Sequence, residues 1–502
     1  MDDLISLVQL ITRKKISDKY ILKSEMEGNK QDHLYLAIKN GVVHTEEEAI
    51  LLLYDNEVSL ATFQRLKSRL KEKLLNSLLT MDLSIQKYSS LKNAYYKILK
   101  NYTIANMLRL EGNRPVSVAL LEETLTYSIK YEVTEYTKLI SSQLIEYYSI
   151  QNIDNKKREK FQQIYEKVAD VDLYERKANT YYYELSNIYL KKDSREEDFI
   201  YKLRTYSNEL TRLQNTIESY SFNHKTYSIN STLHIIEKNY DKAIVNATNA
   251  IEFFQKKPFN TLKYIYTFNV DKITSFIMLN RYDEAEILID ATIEILPNKT
   301  QNYFHLYYLK FQNYAYLKDF DKLNEIVKFV LSTKEISNYK LQYELWKIRE
   351  AYISLLIESE VITIQKYNSE EKRFRLAKFM NNVPLFSKEK RGMNVSIIVI
   401  QLLFFIIRNQ YNDVIDRMDA LRQYSFRYLR KDSTFRSNCF IKMLLKIPDA
   451  DFHPVRTQLY TKELLKKLNS HKLDYEMLTN EIEVIPFHFL WEIIIDVLET
   501  NR

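Results

Sequence analysis

The chain has 502 residues, with 73 Lys and Arg against 66 Asp and Glu and a formal net charge of +7. That surplus is mild for the length and permits an acidic partner or nucleic acid without requiring either. Four Gly and seven Pro fall far below the roughly 7% and 5% of average chains, which argues against sheets with their frequent turns and for long helices on short polar turns.

The single cysteine, Cys439, excludes an intramolecular disulfide and a cysteine-based zinc site and fits a reducing compartment. The start, Met1-Asp2-Asp3-Leu4, lacks the basic-then-apolar order of a signal peptide. The most apolar run, Met393 to Ile407, is shorter than a bilayer span and is interrupted by Asn394, Ser396 and Gln401. It reads as a buried helix, so the expectation is a cytoplasmic protein with no membrane contact.

In chain order, residues 1–83 read as an N-terminal helical module. Leu4, Ile5, Leu7, Val8 and Ile11 form the first helical stripe. Asn40-Gly41 is a stop and Thr45 a new start. Thr45 and Glu48 have the spacing of a capping box, and Glu46 and Glu47 suit the helix dipole. After a turn at 55–57, Ser59 can cap a helix with Leu60, Phe63, Leu66, Leu70 and Leu74 on one face.

Gln64, Arg65, Lys67, Arg69, Lys71 and Lys73 populate the rest of that helix. A short helix, a turn and a basic amphipathic helix over 45–80 resemble a DNA-binding helix-turn-helix. Those six residues would then contact nucleic acid. The competing and favoured reading is a capping helical bundle with a solvated basic face.

From about Tyr88 the pattern becomes helical hairpins. Expected helices cover 88–110, 116–131, 133–150, 156–168, 175–192 and 195–222, with Pro115 at a helix start. Two similar phrases follow, Asn239-Tyr240-Asp241-Lys242-Ala243 and Arg281-Tyr282-Asp283-Glu284-Ala285. Ala250 and Thr292 lie seven residues beyond the two alanines, and Pro297 closes the second unit. Degraded copies stand at Asp319-Phe320-Asp321-Lys322-Leu323 and Gln410-Tyr411-Asn412-Asp413-Val414. From Ala243 to Ala285, Leu323 and Val414 the steps are 42, 38 and 91 residues.

These phrases resemble the tetratricopeptide repeat family, whose hairpins have a small residue early in the second helix and an aromatic at the turn. The family's period is about 34 residues, so the repeats here are longer and degenerate. The resemblance is good over 225–333, fair over 393–431 and textural over 88–224. It implies an all-α, right-handed α-solenoid of stacked antiparallel helix hairpins, with repeats over 84–385 and C-terminal repeats and capping helices over 386–502. It also implies a groove lined by the first helices. Projecting the register places Tyr264, Asn269, His305, Tyr308, Gln312 and Tyr316 there, and the 40 tyrosines suit a peptide groove.

A linker is expected at 381–392, then the apolar helix and its partner over 411–430. Arg422, Arg427, Arg430, Lys431 and Arg436 interleave with Tyr424, Phe426 and Tyr428; core packing with a solvated basic face is favoured over nucleic-acid binding. A helix over 455–469 and an apolar one from Phe487 to Leu498 end the chain.

No catalytic constellation is visible. The eight histidines are scattered, and no Gly-rich phosphate loop or Gly-x-Ser-x-Gly elbow occurs. The expectation is a scaffold or sensor, without catalysis, metal or cofactor, that binds a protein or peptide. A DNA-binding regulator with sensor repeats is the alternative, and a structural subunit of a larger assembly is a third.

Overall fold

The computed structural model describes residues 1–13, 16–22, 29–54, 58–80, 90–190, 197–362, 374–382, 391–428, 435–470 and 483–500. These form twenty-two α-helices and no strand, so the all-α expectation holds. The expected turn at 55–57, most of the linker at 381–392 and the side chains from Tyr424 to Lys431 lie outside the described residues. Two compact units result, one of Met1–Tyr174 with Pro258–Asn260, the other of Glu175–Lys257 with Thr261–Arg502.

The first unit begins with α1 (Asp2–Arg13), α2 (Lys30–Lys39), α3 (Glu46–Tyr54) and α4 (Leu60–Leu78). Leu4, Val8 and Ile11 of α1, Leu34, Tyr35 and Ile38 of α2, and Phe63, Leu70 and Leu74 of α4 share one core. The capping box forms: Glu48 N–H donates to Thr45 Oγ1 at 3.2 Å, and Thr45 N–H donates to Glu48 Oε2 at 3.2 Å. Ser59 Oγ accepts from Thr62 N–H at 3.3 Å and starts α4.

Hairpins follow as α5 (Ser90–Leu110), α6 (Arg114–Lys130), α7 (Thr134–Glu146) and the start of α8 (Asn155–Leu190). Gln143 of α7 donates to Tyr102 Oη and Asn106 Oδ1 of α5, each at 3.1 Å. Here α8 is one helix, where the sequence suggested two over 156–168 and 175–192. No Gly or Pro separates those stretches, so nothing interrupts the backbone ladder.

In the second unit, α8 continues from Glu175 and is followed by α9 (Glu197–Gln214) and α10 (Tyr220–Ile236). The expected single helix over 195–222 is instead divided, because Ser219 caps a new start by accepting from Phe222 N–H at 3.3 Å. Then come α11 (Tyr240–Gln255), α12 (Leu262–Met278), α13 (Tyr282–Ile295), α14 (Gln301–Leu317), α15 (Phe320–Ser332) and α16 (Lys340–Glu358). Each packs on the next, and α10, α12 and α14 also touch in succession as the first helices of consecutive hairpins. Ala243, Ala247, Ala250 and Ala285 are fully buried, so their lack of a side chain beyond Cβ lets the helices close.

The phrase turns share one geometry. Lys238, Asn280, Lys318 and Asn409 have φ of +57°, +58°, +58° and +58°. The next amide closes back onto the preceding helix, as when Asn239 N–H donates to His234 O and Arg281 N–H to Phe276 O, both at 2.8 Å. This is the left-handed helix stop that glycine usually supplies. A side-chain-bearing residue there costs on the order of 1–2 kcal/mol. Lys238 is exposed, so Lys238→Gly is expected to raise stability by roughly 0.5–1 kcal/mol. Lys242→Gly, inside α11, should lower it by about 1 kcal/mol. Equal effects at the two sites in urea unfolding would refute this account of the turn.

The chain closes with α17 (Leu376–Asn382), α18 (Arg391–Ile407), α19 (Tyr411–Tyr428), α20 (Phe435–Asp449), α21 (Pro454–Ser470) and α22 (Phe487–Thr500). The apolar run is α18, which packs on α16, α19 and α22 and buries Val399, Ile400, Leu402, Leu403 and Phe404. Among the described residues no helix is long and apolar enough to cross a membrane. Arg436, expected on a solvated basic face, is internal. Its guanidinium bonds Glu483 through Nε–Oε2 at 2.9 Å and Nη2–Oε1 at 2.7 Å, and donates to Leu468 O at 2.7 Å.

Candidate functional site

The six residues projected onto the groove divide into two sets. Asn269, Tyr308 and Gln312 are buried, whereas Tyr264, His305 and Tyr316 are half-buried. Asn269 Nδ2 donates to Thr292 Oγ1 at 3.0 Å, tying α12 to α13, which is a packing role. Tyr316 stacks on Tyr282, ring centroids 6.3 Å apart and 4° from parallel. Burial first, and then the nearby Glu483 carboxylate, raise its hydroxyl pKa well above the ordinary value.

Side chains from three successive first helices meet in one row. Tyr266 Oη of α12 lies 2.7 Å from His305 Nδ1 of α14. His305 packs by Tyr308 at 6.0 Å between ring centroids. The Arg349 guanidinium of α16 lies 4.5 Å from the Tyr308 ring centroid and 4.7 Å from that of Trp346. Arg349 is only 3% exposed, so its charge sits in a low-dielectric aromatic frame where cation–π attraction is strongest. Burial, with the Arg349 charge second, lowers the His305 pKa to about 4. The imidazole is therefore neutral at pH 7, with one nitrogen a donor and the other an acceptor. Tyr266 and His305 are the half-buried members of the row and present a phenol and a neutral imidazole, whereas Tyr308 and Arg349 are buried beside them.

A second cluster lies on the same series of helices. His224 of α10 is enclosed by Tyr264 and Phe268 of α12, Phe254 of α11 and Tyr182 of α8, with centroid distances of 4.7, 6.3, 6.4 and 6.4 Å. Burial, then the charges of Lys225 and Lys263, lower its pKa to about 3.

The six nucleic-acid candidates lie on α4 in the first unit. Gln64 Nε2 donates to Glu46 Oε2 at 3.0 Å, and Lys67 pairs with the same carboxylate. Lys71 pairs with Asp3 at 3.1 Å and Lys73 with the buried Asp32 at 3.4 Å. Arg65 and Arg69 are exposed and make no ion pair among the described residues. Most of the helix's charge is thus balanced within the module.

Sequence reasoning missed Tyr266, Arg349, His224, Lys225 and Lys263. One signal was present: Arg349 follows Trp346 by three residues, one helical turn along the same face. Among the described residues no group of His, Cys, Asp and Glu could hold a metal ion. No family model, curated protein or solved structure matches this chain.

Proposed function

We propose that this chain is a non-catalytic helical-repeat protein of the tetratricopeptide type, acting in the cytoplasm as a scaffold or sensor. Its repeats would form a right-handed array whose inner face takes a protein or peptide segment. The observation that carries this reading is the row from Tyr266 through His305 and Tyr308 to Arg349, built from three consecutive hairpins. Repeat arrays recognise extended partners by contributing one or two side chains per unit to a shared face. Large, rigid aromatic side chains beside an arginine are the residue types that dominate such interfaces.

The test is affinity selection of random peptides on the full chain, counter-screened against Tyr266→Phe and His305→Asn. Recovered peptides are expected to bind these folded variants roughly tenfold more weakly, a loss of about 1.4 kcal/mol. Peptides that bind wild type and both variants equally would place recognition elsewhere and sink this reading. The alternative, a DNA-binding regulator, is supported only by Arg65 and Arg69, since the neighbouring lysines already have carboxylate partners.

A further inference from the structure

Tyr266 and His305 share a single hydrogen, and the groups that it leaves satisfied decide which atom carries it. Tyr266 Oη lies 2.7 Å from His305 Nδ1, joining α12 to α14. Both side chains are half-buried, and neither makes another hydrogen bond among the described residues. Two arrangements are open to the pair. If Nδ1–H donated to the phenol oxygen, the phenol hydrogen would have no protein acceptor and Nε2 no donor. If the phenol donates to Nδ1, its hydrogen and the Nδ1 lone pair are both used, and only Nε2–H remains. Each polar group left unmatched away from water carries a desolvation cost, so the second arrangement is favoured. The separation agrees, because 2.7 Å is usual for a hydroxyl donor, whereas N–H donors to oxygen centre at about 2.9–3.0 Å. Burial keeps both groups in the required states. It raises the Tyr266 hydroxyl pKa, so the phenol holds its proton, and it lowers the His305 pKa to about 4, so the imidazole is neutral.

Nε2 stands on the far side of the ring. The unpartnered Nδ1 atoms of His234 and His453 are fully enclosed, whereas Nε2 of His305 has neither a partner among the described residues nor full enclosure. An outward donor therefore stands in the row, beside Tyr308 at 6.0 Å between ring centroids. Tyr266 holds its ring from behind. A donor fixed in this way is already oriented when an acceptor arrives, which removes part of the ordering cost of binding. A ligand group that is itself a donor, such as an ammonium, would meet Nε2–H head on.

We propose that His305, locked by Tyr266 in the Nε2–H form, is the donor with which the groove takes an acceptor oxygen of its partner, a main-chain carbonyl or a carboxylate. The proposal rests on the peptide-binding reading and adds to it the polarity of this contact: the partner supplies an acceptor here, never a donor.

Long-range nitrogen–proton NMR on the full chain with isotope-labelled histidine reads the tautomer without any ligand. His305→Asn identifies the signals by their loss. At neutral pH the expected pattern is a bare Nδ1 beside a protonated Nε2, and in Tyr266→Phe a mixture of the two forms. A protonated Nδ1 in the wild type would overturn the proposal whatever peptides bind. Calorimetry with the tightest peptide from the random-peptide selection is the second arm. His305→Gln, whose amide nitrogen can stand where Nε2 stood, should keep binding within about threefold. His305→Met, similar in length but without a donor, should lose about tenfold or more. Equal losses in the two variants, or none in His305→Met, would overturn the proposal. Replacing each acidic residue of that peptide by alanine distinguishes the source of the oxygen: a loss that disappears in His305→Met marks a carboxylate, and no loss marks a main-chain carbonyl. Should the selection yield no peptide, the peptide reading fails and takes the partner with it, while the spectrum still separates the two tautomers. Were His305→Met to unfold the chain, the wild-type spectrum would decide.

Discussion

Glu483→Gln is expected to destabilise the second unit by about 3–5 kcal/mol, the range found when one partner of a buried ion pair is removed. The Arg436 and Glu483 side chains are 5% and 3% exposed. Both carboxylate oxygens are committed to the guanidinium, and Oε1 also accepts from Phe487 N–H at 2.8 Å. Glutamine keeps the shape and removes the carboxylate charge that faces the buried guanidinium. Three segments are held at this one point: Arg436 begins α20, its Nη1 reaches the end of α21 at Leu468, and Glu483 holds the first turn of α22. Removing both charges with Arg436→Met and Glu483→Leu should restore much of the loss, because a well-packed apolar replacement avoids desolvating two ions. Urea unfolding followed by tryptophan fluorescence reads this directly. The only two tryptophans, Trp346 and Trp491, are buried in this unit's core. A midpoint shift for Glu483→Gln equivalent to less than about 1 kcal/mol would show that the pair is no more than an exposed one in effect.

The second large effect is on acid stability. His224 has its pKa lowered from 6.5 to about 3, chiefly by burial among rings and then by Lys225 and Lys263. Its folded form resists protonation, so no stability is lost above pH 6.5. As pH falls through 6.5 toward 3, the unfolded chain takes up a proton that the folded chain cannot. By pH 4 the loss from this one group is roughly 3 kcal/mol. His305, with its pKa lowered to about 4, acts in the same direction.

Asp271 opposes both. Burial raises its pKa to about 7, partly offset by a hydrogen bond from Ser231. Its contribution is present in acid and is lost as pH rises through 7. The overall pH profile therefore hides two slopes of opposite sign, and a difference between variants separates them. His224→Phe, which suits the aromatic enclosure, should gain on wild type by roughly 2–3 kcal/mol on going from pH 7 to pH 4. Asp271→Asn should change in the reverse sense. A His224→Phe advantage that is constant with pH would mean that its imidazole is solvated.

The turns and helix starts were legible in the sequence because their chemistry is local. Thr45 with Glu48, Ser59, and the aromatic-led phrases at Tyr240, Tyr282, Phe320 and Tyr411 each specify a cap or stop within a few residues, and each begins a helix as expected. The apolar α18 was legible for the same reason, since its run of side chains can be satisfied only in a core. The groove was less so. Periodicity places Asn269, Tyr308 and Gln312 on first-helix faces, but all three are buried, Asn269 against Thr292 of α13 and Tyr308 against Arg349 of α16. Helical spacing marks which residues lie together without saying what covers them. The Arg436–Glu483 pair, 47 residues apart, and the link from Tyr266 to His305, 39 residues apart, have no periodic signature at all. The undivided α8 shows the converse: the stretch 169–174 lies between the two helices expected from the sequence, yet its Asp172 is buried and pairs with Lys138 at 2.7 Å.

The left-handed turns at Lys238, Asn280, Lys318 and Asn409 bear on how the second unit loses its structure. Each sits at the tip of a different hairpin and carries its own local strain. An array joined by neighbour contacts need not unfold in a single step. Amide exchange in Lys238→Gly should then slow most in α10 and α11, fade through α12 and leave α18 untouched. The same substitution in a fully concerted unit would slow the most protected amides throughout. A glycine moved from turn to turn thus becomes a ruler for the length over which these hairpins share their fate.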